Sequence, residues 1–474
     1  MNPTALWTAA EAVAATGGTT TTDWRCGGIS IDSRTAHRGD LFVALAGPRF
    51  DGHDFVAAAF SAGAAAALVS HTPERLPEGA PLLVVDDTMA ALEALARQAR
   101  ERSAARIAGI TGSVGKTGTK EALRLALSTQ GLTSASMASL NNYCGVPLSL
   151  ARMPQQATYG IFEIGMNHAG EIVPLSRMVR PHVAVVTAVE PAHTEFFASL
   201  EAVADAKAEI FTGMAPGGSA VLNRDNPFYD RLADAARAHD IDRIIGFGAH
   251  ERAEVRLLDC TLGAHASDVS AVMDGTRIDY RLGVPGRHWV INSLAVLAAA
   301  HALGADAGRA ATALANMVAL EGRGRRHEVR LGAERFTVID ESYNASPASV
   351  RAALETLAAM EPGAGGRRIA VLGDMRELGE QSAALHTALA EMVRANGIDL
   401  VFTAGTYMAH LSAALPQKTC GAHAEAADRI ASVVMAALRP GDIVTVKGSL
   451  ASDMRIVVDA LLGLGGDEAR VADG

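Results

Sequence analysis

With 474 residues, the chain is too long for one ordinary domain and suits two to four. Nearly half of the residues are hydrophobic and a fifth are charged, which supports ample cores and excludes a disordered tether. The formal net charge of −10 argues against bulk binding to nucleic acid or anionic membrane, while leaving room for a local basic pocket for phosphates.

The first 18 residues lack a basic segment followed by an apolar core, and the most apolar stretches, 57–70 and 291–304, are Ala-rich, short and interrupted. Neither a signal peptide nor a membrane span is expected. Cys26, Cys144, Cys260 and Cys420 lie far apart with no CxxC and no histidine at metal-ligand spacing, as in reduced cytosolic proteins rather than zinc or disulfide scaffolds.

The first block, residues 1–103, offers a strand at 41–46, a helix at 55–63, a strand at 82–85 and an Ala/Leu helix at 88–102. The second, 104–324, opens with an apolar run at 106–111, a Gly-rich turn and a helical pattern at 119–129, followed by strands at 160–165 and 183–189. The Gly- and Arg-rich stretch 321–326 reads as a linker. The third block, 325–474, alternates again, with strands at 336–339, 369–372, 400–404 and 443–446 and helices between. Such alternation predicts parallel sheets and an α/β architecture of three domains: a small first domain, a central ATPase-like domain and a Rossmann-like third domain.

The sharpest local signal is Gly112-Ser113-Val114-Gly115-Lys116-Thr117, followed by Gly118. Backbone N–H groups of such a loop wrap a triphosphate at the positive end of the next helix, with Lys116 on the β/γ oxygens and the Thr117 hydroxyl on Mg²⁺. The eight-residue form of the motif wants Gly where this chain has Ile110. Strand before and helix after favour nucleotide binding over a chance turn, yet the loop alone does not separate a kinase, a GTPase, a motor or a ligase.

Glu163 and His193 fall at or just beyond strand ends, where an α/β sheet places its chemistry, although each taken singly also fits a solvated strand end or an idle loop histidine. In the helical stretch 200–211, Leu200, Val203, Ile210 and Phe211 share one face, and Lys207 falls on it. An inward lysine either snorkels to the surface or has been recruited, and the spacing leaves both open.

Taken together, Thr111-Gly-Ser-Val-Gly-Lys-Thr117, Asn141-Asn142-Tyr-Cys-Gly-Val-Pro147, Phe162-Glu-Ile-Gly-Met-Asn167, Ala192-His193, Ala206-Lys207 and Gly286-Arg-His288 with Asn292 resemble the Mur ligases of peptidoglycan synthesis over essentially the whole chain. Asp32-Ser-Arg34, Gly39-Asp-Leu-Phe42 and Asp51-Gly-His53 look like the family's uridine-nucleotide domain. Ser342-Tyr-Asn-Ala-Ser-Pro347, Gly373-Asp-Met-Arg-Glu-Leu-Gly379 and Val446-Lys-Gly-Ser449 look like the branch that adds D-alanyl-D-alanine to UDP-N-acetylmuramoyl-tripeptide. The alternative is the preceding ligase, which adds a diamino acid to the dipeptide precursor.

The resemblance implies an ATP- and Mg²⁺-dependent cytoplasmic enzyme, a monomer with small-molecule substrates, working through an acyl phosphate. It implies one Mg²⁺ on Thr117 and Glu163, and a second on His193 and a carbamylated Lys207. Asn292, Arg323 and Asp340 would contact ATP. Ser33, Arg34 and Asp51 would hold the uridine end, and Asn141, Asn142, Tyr343, Asn344, Lys447 and Ser449 the peptide substrates. Trp289 stands where the family commonly has Asn, Ser346 replaces an Asn, and Asp340-Glu341 replaces a paired Asp-Asp, leaving open which carboxylate faces the nucleotide. An unliganded chain is expected to adopt an open form, with Lys447 far from Lys116.

Overall fold

The computed structural model describes residues 5–47, 50–191 and 195–466. Short apolar runs flanked by turns become strands buried on both faces, as in Val183–Val186 and Asp40–Val43, and the Ala/Leu-rich segments between them form covering helices. Three main sheets result, giving the expected three-part α/β architecture.

The first sheet runs, edge to edge, Thr19–Thr20, Leu82–Val84, Ala66–Val69, Asp40–Val43, Gly28–Ser30, and all pairs but the first are parallel. The nine-stranded central sheet runs Thr276–Leu282, Ser267–Met273, Val255–Leu262, Arg243–Gly248, Ser219–Asn223, Val183–Val186, Arg106–Thr111, Tyr159–Glu163, Thr133–Ala135. It is parallel from Val255–Leu262 onwards and ends on the other side in an antiparallel meander. The third sheet runs Arg325–Leu331, Glu334–Glu341, Ile443–Lys447, Arg368–Gly373, Leu400–Ala404, Cys420–Ala424, antiparallel only in its first pair.

The helix Thr88–Arg102 lies where its periodicity predicts, capped by Asp87, whose Oδ1 accepts from Met89 N (2.7 Å) and Ala90 N (3.0 Å). Other expectations need correction. The helix after the Gly-rich loop begins at Lys116 rather than at 119, because Gly115, at φ +85°, turns the loop directly into it. The supposed linker 321–326 runs into the edge strand Arg325–Leu331, where charged residues alternate with the buried Val329.

One hydrophobic core extends from Trp7 to Ile241 and joins the first and central blocks. Polar contacts reinforce that joint. Trp7 Nε1 donates to Ala151 O (2.9 Å), Arg152 Nε to Ile29 O (2.6 Å) and Arg100 Nε to Val179 O (2.8 Å), while the Arg102 guanidinium lies 3.8 Å from the Trp7 ring centroid. The cores of the third block contain only residues between 329 and 461. No helix among the described residues is long and apolar enough to cross a membrane.

Candidate active site

The Gly-rich loop leaves the central strand Arg106–Thr111 at the carboxyl edge of the sheet, where neighbouring strands leave a crevice. Gly112 sits at φ +145°, and a Cβ there would collide with the Thr187 hydroxyl. Neighbouring segments fasten the loop: Ser113 N donates to Ala188 O (2.8 Å), Thr187 Oγ1 to Val114 O (2.6 Å), and Glu190 N to Ser113 Oγ (3.1 Å). Lys116 Nζ donates to Gly112 O at 2.6 Å. Desolvation lowers its pKa, opposed by Glu163 and assisted by Arg323.

Two residues of the helix Arg287–Ala302 close over this loop. Asn292 packs against Gly115, where an added Cβ would stand 2.9 Å from Nδ2. The Trp289 ring fills the space beside Gly118, and a Cβ on that glycine would drive into it. Trp289 thus acts as a wall of the loop helix. Ala in place of Gly in a helix gains about 1 kcal/mol, but overpacking costs typically about 1–3 kcal/mol. Gly118→Ala is therefore expected to lower the unfolding free energy, and the same change in a Trp289→Ala background to raise it, as read from denaturant midpoints.

Glu163 ends the strand Tyr159–Glu163 and is 1% exposed. Its Oε1 accepts from Asn141 Nδ2 at 2.7 Å, and its Oε2 is buried with no hydrogen-bond donor among the described residues. An acceptor left this way fits a cation. Thr117 Oγ1 lies 3.5 Å from Ser139 Oγ, which also receives Arg323 Nη2 at 3.3 Å. The Arg323 guanidinium stacks 4.2 Å from the Tyr343 ring centroid. Lys120, fully buried, anchors this segment by donating to Ser136 O (2.6 Å) and Ala138 O (2.7 Å). The only sequence signal for it was its position four residues after Lys116.

Lys207 is 2% exposed and lies on the buried face with Val203, Ile210 and Phe211, so the snorkelling alternative fails. Burial, and then repulsion from Lys116, push its pKa well below 10.5, with Glu209 opposing weakly. The unfolded chain therefore binds this proton at pH values where the folded chain does not. In CO₂-free buffer, stability should rise by up to about 1.4 kcal/mol per pH unit between the folded pKa and the unfolded one, a slope that Lys207→Met removes. His193 lies outside the described residues.

The third block supplies the opposite wall. A cleft of about 650 Å³ is lined by Ser113 to Gly118, Glu163 and Asn292 on one side and Arg323, Glu341, Tyr343, Asn344 and Lys447 on the other. Both blocks thus contribute to one cleft, with Lys116 and Lys447 both in its lining. Glu195 N donates to Glu377 O (3.2 Å) and Arg351 stands 3.9 Å from Glu190, docking the third block onto the second. Lys447, 2% exposed, donates to Asn344 O (2.8 Å) and pairs with Glu341 Oε2 (3.3 Å).

Several expected contacts fall elsewhere. Adjacent strand residues face opposite ways, so Glu341 meets the cleft while Asp340 turns inward. Asp340 accepts from Gly322 N (3.0 Å), Ser342 N (3.0 Å), Ser342 Oγ (2.6 Å) and Arg455 Nη1 (3.3 Å), so its carboxylate is bonded within the protein. Asn142 Oδ1 accepts from Gly145 N at 2.9 Å, in the turn before the helix Gly145–Ala151, and Asn142 does not line the cleft. Ser449 likewise holds backbone, its Oγ accepting from Arg376 N at 2.9 Å.

Ser33, Arg34 and Asp51 lie apart from this cleft, on the first block. Arg34 is paired with Asp32 (Nη2–Oδ2 2.7 Å), and Asp51 Oδ1 accepts from His53 N and meets His53 Nδ1 at 2.6 Å. Asp51, His53 and His71 cluster closely, but His53 Nε2 already accepts from Ser70 N (2.9 Å), so both its nitrogens are occupied.

A phosphate loop that faces the third block, and an inward lysine, are features that the sequence resemblance led us to expect, and comparison with known proteins decides the family. Three family models match in succession: the Mur ligase family catalytic domain over residues 25–100, the Mur ligase middle domain over 110–300, and the Mur ligase glutamate ligase domain over 325–450. The UDP-N-acetylmuramoyl-tripeptide–D-alanyl-D-alanine ligase of Escherichia coli (strain K12) is 36% identical over 437 residues, covering 91% of this chain and 93% of that one. The chain belongs to the Mur ligase family. The protein of the same name from Rickettsia prowazekii is 33% identical, covering 92% of this chain and 95% of its own. Among solved structures, MurF from Acinetobacter baumannii superposes with a TM-score of 0.81 at 30% identity, covering 96% and 98% of the two chains. MurF from Thermotoga maritima, solved in complex with ADP, gives 0.75 at 26% identity, covering 93% and 98%.

Proposed function

We propose that this Mur ligase adds D-alanyl-D-alanine to UDP-N-acetylmuramoyl-tripeptide at the expense of ATP, in peptidoglycan precursor synthesis. The observation that carries the reading is the single cleft in which the phosphate loop faces Glu341, Asn344 and Lys447 of the third block. Full-length relatives named for this reaction, and an ADP complex of one such fold, support it.

A carboxylate is a poor electrophile, and joining it to an amine in water is uphill. In the proposed sequence, an oxygen of the tripeptide carboxylate attacks the γ-phosphorus, the bridging P–O bond to ADP breaks, and an acyl phosphate forms. The dipeptide amine, having lost its proton, then attacks the acyl carbon, and inorganic phosphate leaves with the former carboxylate oxygen. Carboxylate and triphosphate must first approach, and one pair of unit charges ~4 Å apart repels by roughly 4 kcal/mol at an effective dielectric near 20. Fixed cations offset this. Lys116 serves the β/γ-phosphates, and Arg323, held flat by Tyr343, reaches the transferring group.

Thr117 and Glu163, with its unpartnered Oε2, suit one Mg²⁺, and His193 with a carbamylated Lys207 a second. Bound there, Mg²⁺ would neutralise phosphate oxygens and align them. The depressed pKa of Lys207 supplies the neutral amine that adds to CO₂, giving a carbamate and a released proton. The product replaces ammonium–ammonium repulsion from Lys116 by attraction. Asn292 and Trp289 border the nucleotide, Glu341 rather than Asp340 faces it, and Ser33, Arg34 and Asp51 serve the uridine end. The enzyme is read as a cytoplasmic monomer, divided near residues 103 and 324.

Phosphate release from ATP-Mg²⁺ with UDP-N-acetylmuramoyl-tripeptide, with and without D-alanyl-D-alanine, tests the reading, together with the product mass. Release that depends on the dipeptide and yields a pentapeptide is expected. Turnover only with the dipeptide precursor and a diamino acid would identify the preceding ligase instead.

A further inference from the structure

If a divalent cation sits between Thr117 and Glu163, as proposed above, their oxygens must be held in place before it arrives. The strand Thr133–Ala135 is an edge strand paired only with Tyr159–Glu163, so the chain leaving it at 136–141 has no further strand beside it. Within this segment Ala138 sits at φ +46°, a left-handed conformation that L-residues disfavour. Yet the segment reaches the metal side of the cleft from three residues. Ser136 Oγ accepts from Glu163 N (2.9 Å). Asn141 Nδ2 donates to Glu163 Oε1 (2.7 Å), and Asn141 O accepts from Gly165 N (2.8 Å). Ser139 Oγ stands 3.5 Å from Thr117 Oγ1 and receives Arg323 Nη2 (3.3 Å). Because Asn141 takes Oε1, it is Oε2 of Glu163 that is left for a cation.

Lys120 fixes the segment from below. It lies one helical turn after Lys116, is 0% exposed and does not line the cleft. Its three N–H donors have three acceptors: Ser136 O (2.6 Å), Ala138 O (2.7 Å) and Glu121 Oε1 (2.9 Å). A buried ammonium is tolerated only when paired in this way, and an apolar side chain would fill the same space without that demand. We infer that Lys120 is a positioning residue for the metal site. By clamping the carbonyls on either side of residue 137, it sets the segment that aims Glu163 and Thr117 at one cation.

The test uses Mn²⁺, which takes the same oxygen ligands as Mg²⁺. It is titrated into protein carrying a non-hydrolysable ATP analogue, and free Mn²⁺ is read by electron paramagnetic resonance. CO₂-free buffer leaves Lys207 without a carbamate, so that the Thr117–Glu163 site is the one read. Lys120→Met should weaken Mn²⁺ binding by roughly 10–100-fold, the range for losing a group that orients a metal ligand. Affinity for the analogue without metal should stay within about twofold, since Ser113, Thr187 and Glu190 hold the phosphate loop independently. The variant also unpairs two carbonyls and a carboxylate, so its unfolding midpoint should fall. Ser136→Ala keeps the lysine and removes only the hydroxyl that receives Glu163 N, and it should weaken Mn²⁺ binding in the same sense. If the lysine variant does not fold, Ser136→Ala decides alone. Wild-type Mn²⁺ affinity in Ser136→Ala, or in a folded Lys120→Met, overturns the assignment, as does an equal loss of metal-free analogue binding. Absence of Mn²⁺ binding by wild type would instead overturn the metal reading on which it rests.

Discussion

Lys116→Met is expected to lower kcat on the order of 10³-fold while leaving the fold intact, the scale seen when a preorganised charge is removed from a transferring phosphoryl group. The loop does not depend on this side chain for its shape, because Ser113 N, Thr187 Oγ1 and Glu190 N secure it independently. Burial holds the pKa of the ammonium down, and Glu163 opposes that shift by favouring the charged form. Lys116→Arg should not restore the rate, since the wider planar fork cannot occupy the space in which Nζ stands 2.6 Å from Gly112 O. Steady-state phosphate release, alongside the thermal midpoint, checks both variants. A Met variant within tenfold of wild type, equally stable, would remove Lys116 from the chemistry.

Lys207→Ala should cost on the order of 10²–10³-fold in kcat, and added formate should restore part of it. The truncation opens a buried space where the side chain lay, and a small carboxylate entering that space replaces the anionic end of a carbamate. Wild type should itself lose activity on removal of CO₂ at constant pH and regain it with bicarbonate. These outcomes separate the carbamate from a bare lysine: a protonated Lys207 would sit against the charge of Lys116, and formate would have nothing to replace. Full activity of the alanine variant, or a loss that no small carboxylate relieves together with indifference of wild type to CO₂, would sink the carbamate role.

How much of this was legible in the sequence depended on whether local chemistry or long-range register set the answer. The phosphate loop was legible because two glycines between an apolar run and a helix leave few alternatives, and Lys207 because helical spacing puts it with Val203 and Ile210. Which of Asp340 and Glu341 meets the cleft was not legible, since that follows from the register pairing Glu341 with Lys447 across the sheet. The strands Val255–Leu262 and Thr276–Leu282 escaped notice because much of their surface is solvated and they carry several charges, and the mostly buried Ser267–Met273 between them was passed over too.

The continuous core from Trp7 to Ile241 bears on how the molecule moves. Separating the first and central blocks would expose apolar surface and break the Trp7–Ala151 and Arg152–Ile29 bonds, whereas the third block is held across the cleft by polar contacts and by the chain at Gly322 and Gly324, both at positive φ. The enzyme is therefore mechanically two bodies on one joint, and the proposed function puts the nucleotide sugar and the triphosphate on the same body. Binding the UDP end alone leaves the joint free, and the work of shutting it falls to whatever meets both bodies, the ATP and the incoming dipeptide.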